Sequence, residues 1–200
     1  MQYRREQKRN EMKETIEIRW HGRGGQGAVT AAKFLAEVAL SNGKFVQAFP
    51  EYGPERTGAP ILAFTRLSTN PINAHYSITN PDLVVVLDQT LLTLINVAQG
   101  LHKNGIILVN SEKPPQDINK YLNCNGKIFT VDANVISQET VGRTMPNMPM
   151  VGALIRVQEI IPLREMLNCF EKSFKEKFSA QLIEDNQKAI KRAYEEVKEG

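Results

Sequence analysis

Residues 16–31 read I-E-I-R-W-H-G-R-G-G-Q-G-A-V-T-A. An apolar run enters, glycines stand at Gly22, Gly24, Gly25 and Gly27, and Ala28 opens a run with helical character. That order predicts a strand, a tight turn and the start of a helix. Gly22, Gly24 and Gly27 fit the G-x-G-x-x-G spacing. In that pattern the first glycine allows the turn, the second lets a phosphate approach the backbone, and the third lets the helix pack on the strand. The free N–H groups and the positive dipole end of the helix would face an anion. Arg23 adds a charge inside the loop, beside Gln26. The competing reading is a tight connection whose glycines serve backbone geometry alone.

Outward from this stretch, the spacing predicts a helix over 27–41, ended by Asn42 and Gly43, which both accept the left-handed conformation of a C-cap. A second strand over 44–49 completes a β-α-β unit, with a right-handed crossover expected. Residues 50–60, P-E-Y-G-P-E-R-T-G-A-P, are too rich in proline and glycine for a regular element. They leave the second strand at the end where the glycine loop lies, so the two loops are expected to be neighbours. A strand is predicted over 61–68, with 72–78 pairing to it as a hairpin. The run L-V-V-V-L at 83–87 has the signature of a central parallel strand covered on both faces. A helix is predicted over 91–99, strands over 105–109 and 127–131, and a short helix over 133–141. The P-N-M-P run at 146–149 is expected to break the chain before helical spacing resumes over 150–157. Pro162 suits the first turn of a helix reaching Phe174, and 179–199 reads as a last amphipathic helix. The fold class is therefore α/β: a Rossmann-like open, mostly parallel sheet with helices on both faces and a C-terminal helical segment. Residues 15–200 are expected to form a single domain behind a charged tail, 1–14.

Composition narrows the function. A net charge of +3 on 200 residues, with no dense basic stripe, gives nucleic acid no support. No apolar run approaches a membrane span, and the first fifteen residues are too charged for a signal-peptide core. A cytoplasmic location is expected. Cys124 and Cys169, the two cysteines, cannot by themselves hold zinc or an iron–sulfur cluster. His21, His75 and His102 have no metal-ligand spacing. His21 ends the first strand beside the loop, which makes it a candidate ligand contact as well as an ordinary structural donor. There is no G-x-S-x-G elbow and no G-x-x-x-x-G-K-[ST] loop. Asp88 and Asp132 end strands, where capping the next helix is the expected role.

Residues 50–60 admit two readings. Glu51 stands about 20–30 residues past the loop, where a dinucleotide fold places its ribose-binding acid. Alternatively, Arg56, Thr57 and Gly58 fold back towards the glycine loop and add a cation and a hydroxyl. An arginine in each loop suits a ligand with several phosphates.

W-H-G-R-G-G-Q-G at 20–27 followed by F-P-E-Y-G-P-E-R-T-G-A-P at 49–60 resembles the gamma subunit of 2-oxoacid:ferredoxin oxidoreductases. N-P-D-L-V-V-V-L-D at 80–88 and P-N-M-P-M-V-G-A-L at 146–154 are similar to that family as well. The resemblance spans about residues 15–198. It is strongest to the pyruvate synthase (pyruvate:ferredoxin oxidoreductase) branch, with branched-chain 2-oxoacid enzymes as the alternative. It implies a subunit of an enzyme that turns a 2-oxoacid, CoA and oxidised ferredoxin into acyl-CoA, carbon dioxide and reduced ferredoxin. Thiamine diphosphate, Mg2+ and iron–sulfur clusters would then sit on alpha, beta and delta partner subunits, and no residue of this chain would be catalytic. The implied CoA contacts are Gly22, Arg23, Gly24, Gly25, Gln26 and Gly27, with Arg56, Thr57 and Gly58 opposite. Asn147 would form another wall of that site or a subunit contact, the latter being the stronger expectation. The rival from another class is a stand-alone nicotinamide-dependent oxidoreductase.

Overall fold

The computed structural model describes residues 14–51, 58–74, 76–122 and 124–200. The expected tail, apart from Glu14, lies outside them, as do Arg56, Thr57 and His75. Seven strands form one sheet in the order β2-β3-β1-β4-β5-β6-β7. They are β1 (Thr15–Arg23), β2 (Phe45–Glu51), β3 (Pro60–Ser68), β4 (Leu83–Val86), β5 (Ile106–Asn110), β6 (Lys127–Val131) and β7 (Lys198–Glu199). β1, β4, β5 and β6 run parallel, whereas β3 is antiparallel to both β1 and β2, and β7 to β6. The helices are α1 (Ala28–Ser41), α2 (Pro115–Asn119), α3 (Ala133–Val141), α4 (Asn147–Gln158), α5 (Leu163–Phe174) and α6 (Ala180–Glu196), with a 3-10 turn over Gln89–Thr93.

One face of the sheet carries most of the core. Strand alternation sends Ile18 and Trp20 of β1 towards α1. Five of the eight buried residues of α1 are alanines, so its backbone lies close over the strands. Trp20 Nε1 donates to Thr65 Oγ1 at 3.0 Å, and that hydroxyl donates to the carbonyl of Ala32 at 3.1 Å. This buried chain ties strand, strand and helix with no polar group unmet. Phe34 of α1 meets Phe170 of α5 edge to face at 5.6 Å. Gly152 lets α4 and α6 touch, because a Cβ there would stand 2.3 Å from the Ile190 carbonyl oxygen. The second face has a smaller core of β4 and β5 residues under the 3-10 turn and α2. Over β1, β2 and β3 that second face mixes polar and apolar groups: Glu17, Arg19, His21, Gln47 and Arg66 stand there with Phe49, Leu62 and Phe64.

Several expectations are corrected. β3 inserts between β1 and β2, so the two strands of the predicted β-α-β unit run parallel without being neighbours. Residues 72–78 form no strand with β3 among the described ones. Both edges of β3 are taken, and the carbonyls of Ala74 and Tyr76 accept from Gln47 and Arg66 side chains instead. The helix expected over 91–99 stops after the 3-10 turn. Past it the amides close short turns instead, Val97 N donating to the Ile95 carbonyl and Gln99 N to the Asn96 carbonyl, and Arg19 Nη2 takes the outward carbonyls of Val97 and Gln99. The P-N-M-P run starts α4 rather than breaking the chain. Pro149 falls in the first turn, where an N–H would have no acceptor in the helix. The last helix ends at Glu196, and Lys198–Glu199 turns back to pair with β6.

Candidate functional site

β1 and β4 are parallel neighbours whose chains leave in different directions, α1 over one face and the 3-10 turn over the other. Such a switch point opens a crevice at the carboxyl ends of the strands. The glycine loop fills that end of β1. Gly25 and Gly27 hold φ of +96° and +80°, which side chains rarely adopt. Gly22 is still within β1, and a Cβ there would meet Ala28 Cβ at 3.1 Å. Gly22 therefore permits the close strand–helix contact, while Gly25 and Gly27 make the turn. This reverses the roles the motif spacing gave to its first and third glycines.

The loop is braced from within. Arg23 N donates to Gln26 Oε1 at 2.8 Å, and Gln26 Nε2 donates to Asp88 Oδ2 at 2.8 Å. Arg23 spreads its guanidinium over three acceptors: Nε to Asp88 Oδ2 at 3.1 Å, Nη1 to the Gly58 carbonyl at 3.0 Å, and Nη2 to Thr90 Oγ1 at 2.8 Å. Asp88 also accepts from Thr90 N, capping the 3-10 turn as its strand-end position predicts. Burial would raise the Asp88 carboxyl. Hydrogen bonds from Thr90 and Gln26, with the Arg23 charge, outweigh that and hold it below its ordinary value. The structure thus places Arg23 and Gln26 in the loop's frame, pointing at Asp88. It brings Gly58 to them, and Gly24 N donates to the Ala59 carbonyl at 3.1 Å. The two loops are neighbours, as expected.

The donors left over are backbone groups. The first intrahelical bond of α1 runs from Ala31 N to the Gly27 carbonyl, so the N–H groups of Ala28, Val29 and Thr30 have no acceptor a turn back. No side chain caps this end. Asn147 packs beside it, since a Cβ on Gly27 would lie 2.6 Å from Asn147 Nδ2. Asn147 is 8% exposed, and its Oδ1 accepts from Met148 N, while its Nδ2 donates to no described residue. It is also the first residue of α4, so two helix N-termini meet at the glycine loop. Asn147 thus stands beside the glycine loop. The P-N-M-P run was visible in the sequence, but its place beside Gly27 required the fold.

Glu51 does not reach this crevice in the way a dinucleotide fold needs. Because β3 intervenes, Glu51 ends a strand two places from β1, about 10 Å away at ordinary strand spacing. His21 is 4% exposed and lies on the face opposite α1. Arg19 Nε donates to its Nε2 at 3.1 Å. Burial first, then the Arg19 charge, lower its pKa to about 3. Among the described residues no three His, Cys, Asp or Glu side chains are grouped to hold a metal. None of the described helices is long and apolar enough to cross a membrane.

Comparison with known proteins agrees with this architecture. Residues 17–196 match the family model for pyruvate ferredoxin/flavodoxin oxidoreductase. The chain is 50% identical over 186 residues to pyruvate synthase subunit PorC of Thermotoga maritima, covering 93% of this chain and 96% of that one. It is 44% identical over 183 residues to the pyruvate/ketoisovalerate oxidoreductases common subunit gamma of Pyrococcus abyssi, covering 91% and 97%. The crystal structure of the Thermotoga maritima pyruvate oxidoreductase subunit PORC superposes with a TM-score of 0.84 at 47% identity, covering 94% of this chain and 99% of that one. The chain belongs to the pyruvate ferredoxin/flavodoxin oxidoreductase family and is a gamma-type subunit within it.

Proposed function

We propose that this gamma subunit serves a pyruvate:ferredoxin oxidoreductase of pyruvate synthase type, and that it holds CoA by its phosphates. The reaction is pyruvate, CoA and oxidised ferredoxin to acetyl-CoA, carbon dioxide and reduced ferredoxin. The observation that carries the CoA assignment is the uncapped N-terminus of α1, with the buried Asn147 amide aimed beside it. A pyrophosphate supplies the oxygens those donors lack, and the two helix dipoles favour its charge. Gly22, Gly24, Gly25 and Gly27 let the backbone come close, and Arg23 and Gln26 hold the loop open through Asp88. Arg56 and Thr57 with Gly58 would close the site from the second loop.

Thiamine diphosphate with Mg2+ supplies carbanion chemistry and iron–sulfur clusters carry electrons. We assign these groups to alpha, beta and delta subunits, because Cys124 and Cys169 are free thiols at separate places and no other cysteine is present. The chain's share of catalysis is positional, keeping the thiol of CoA where the acyl group is transferred. This reading makes the enzyme a cytoplasmic complex that donates to ferredoxin. The Pyrococcus abyssi relative favours a second reading, in which the subunit is shared with a branched-chain 2-oxoacid enzyme.

The test is steady-state kinetics of the assembled enzyme. Asn147→Asp turns a donor into a carboxylate facing a phosphate, and should raise KM for CoA about tenfold or more while KM for pyruvate holds. Arg56→Ala should weaken CoA in the same way. Binding of NADH by the chain with indifference to CoA would overturn the assignment.

A further inference from the structure

Past the carboxyl ends of β4 and β5, between the 3-10 turn and α2, lies a cavity of about 270 Å³. The buried side chains of Leu92 and Ile118 give it an apolar floor. Gln89, Thr90 and Thr93 line it from the 3-10 turn, and Lys113 and Tyr121 from either end of α2. Arg23 Nη2 donates to the Thr90 hydroxyl at 2.8 Å. Thr90 is thus common to this cavity and to the frame of the glycine loop.

The lining suits a nucleoside phosphate. Tyr121 is about half exposed and offers a ring for a base to pack on. Ser111 Oγ donates to Gln89 Oε1 at 2.7 Å, so the end of that amide left for a ligand is its NH2 group. Lys113 is exposed and stands 5.7 Å over the Tyr121 ring. It has no ion pair among the described residues, since Asp117 is bonded to Lys120 at 2.6 Å and feels Lys113 only through space. Size and position choose which part of a large ligand enters. The volume is near the lower bound of roughly 300 Å³ for a ligand pocket, so it takes one end of a CoA-sized molecule. The sheet and α2 back the cavity, whereas the thiol of CoA has to stay open to the subunits that carry the chemistry.

We infer that this cavity is the subsite for the adenosine 3′-phosphate end of CoA. The base lies on Leu92 and Ile118 against the Tyr121 ring, and the Lys113 ammonium meets the 3′-phosphate. This rests on the glycine-loop assignment of the pyrophosphate. Lys113 is then a specificity residue, which lets the chain tell CoA from thiols that carry the same pantetheine arm without the 3′-phosphate.

The probes are CoA and 3′-dephospho-CoA, each used as the acyl acceptor by the assembled enzyme. The unaltered enzyme should prefer CoA in kcat/KM, and Lys113→Met should cut that preference about fivefold, the upper worth of an exposed charge pair. Lys113→Arg keeps the charge and should restore most of it. Tyr121→Ala should raise KM for both acceptors alike, since both carry the base, while KM for pyruvate holds. Equal kcat/KM for the two acceptors in the unaltered enzyme would overturn the subsite. So would a Lys113→Met enzyme whose preference for CoA is unchanged. Asn147→Asp, measured beside it, separates the two assignments. If Asn147→Asp raises KM for CoA while Lys113→Met leaves the preference intact, the subsite falls and the glycine loop keeps the pyrophosphate. If neither variant differs from the unaltered enzyme, both assignments fall.

Discussion

Arg19 and Arg23 stand four residues apart on one strand and face the same side of the sheet, yet their surroundings are opposite. Arg23 is a quarter exposed and is matched by Asp88. Each of its donating nitrogens has an oxygen, and its charge is used up in shaping the glycine loop. Arg19 is buried, bonded to neutral groups, and next to a histidine that burial keeps uncharged. Arg23 is held by a carboxylate and builds a frame, whereas Arg19 has no ion-pair partner among the described residues. The motif arginine is therefore scaffold for the CoA reading, while the arginine outside the motif is bonded to neutral groups and feels Glu51 only through space.

The largest expected effect comes from breaking the paired side. Asp88→Ala strands Arg23, Gln26 and the Thr90 amide together, and should cost about 3 kcal/mol in chemical unfolding. CoA affinity should fall with it, as the loop loses its brace. If stability drops but CoA affinity holds, the loop does not need Asp88 to keep its shape.

Gly27→Ala should cost about 2 kcal/mol, from a forbidden φ and from the clash with Asn147. Gly43→Ala is its control. Gly43 has φ +77° but nothing within 4 Å of a Cβ, so only the backbone term of about 1 kcal/mol remains. Equal losses at the two sites would mean that Asn147 moves aside freely.

Proton linkage separates the two arginines by pH. His21 has its pKa lowered from 6.5 to about 3 in the fold, so between those values the unfolded chain binds more protons. Stability should then rise with pH across that window, by up to about 1.4 kcal/mol per unit, and be complete above 6.5. Asp88 is also lowered, from 3.8, so its contribution is present above that value and is lost as pH falls below it. Urea unfolding at several pH values should show both, and His21→Leu should remove the upper slope alone.

The smallest effect tests the charge of Arg19 itself. Arg19→Met keeps the volume and removes the cation, so the His21 pKa should move up. It should stay below 6.5, because burial is the larger cause. An NMR titration of His21 reads this directly, and an unchanged value would mean that the arginine charge is screened from the ring.

Much of the fold was legible in the sequence because it is local. A strand, a glycine turn and a helix are set by neighbouring residues, so residues 16–41 could be read directly. The buried runs of β4, β5 and β6 were equally plain, since a parallel strand covered on both faces has no polar alternation. Asp88 caps the 3-10 turn and Asp132 caps α3, as their strand-end positions predict. Two of the misread elements involve distant groups, whereas the P-N-M-P run was misread locally, since Pro149 is tolerated in the first turn of α4. Arg19 takes carbonyls from a predicted helix 78 and 80 residues away. β3 takes the place beside β1 that the β-α-β pattern reserves for β2.

By itself, then, the sequence determined the α/β class, the glycine turn that opens α1 and membership of an oxidoreductase family, because each rests on short-range spacing and residue type. Only the tertiary structure decided that Arg23 is bound to Asp88, that Asn147 reaches Gly27 across 120 positions of chain, and that Arg19 and His21 line one cavity with Glu51. Charge and hydrogen-bond balance depend on which side chains meet, and sheet order settles that.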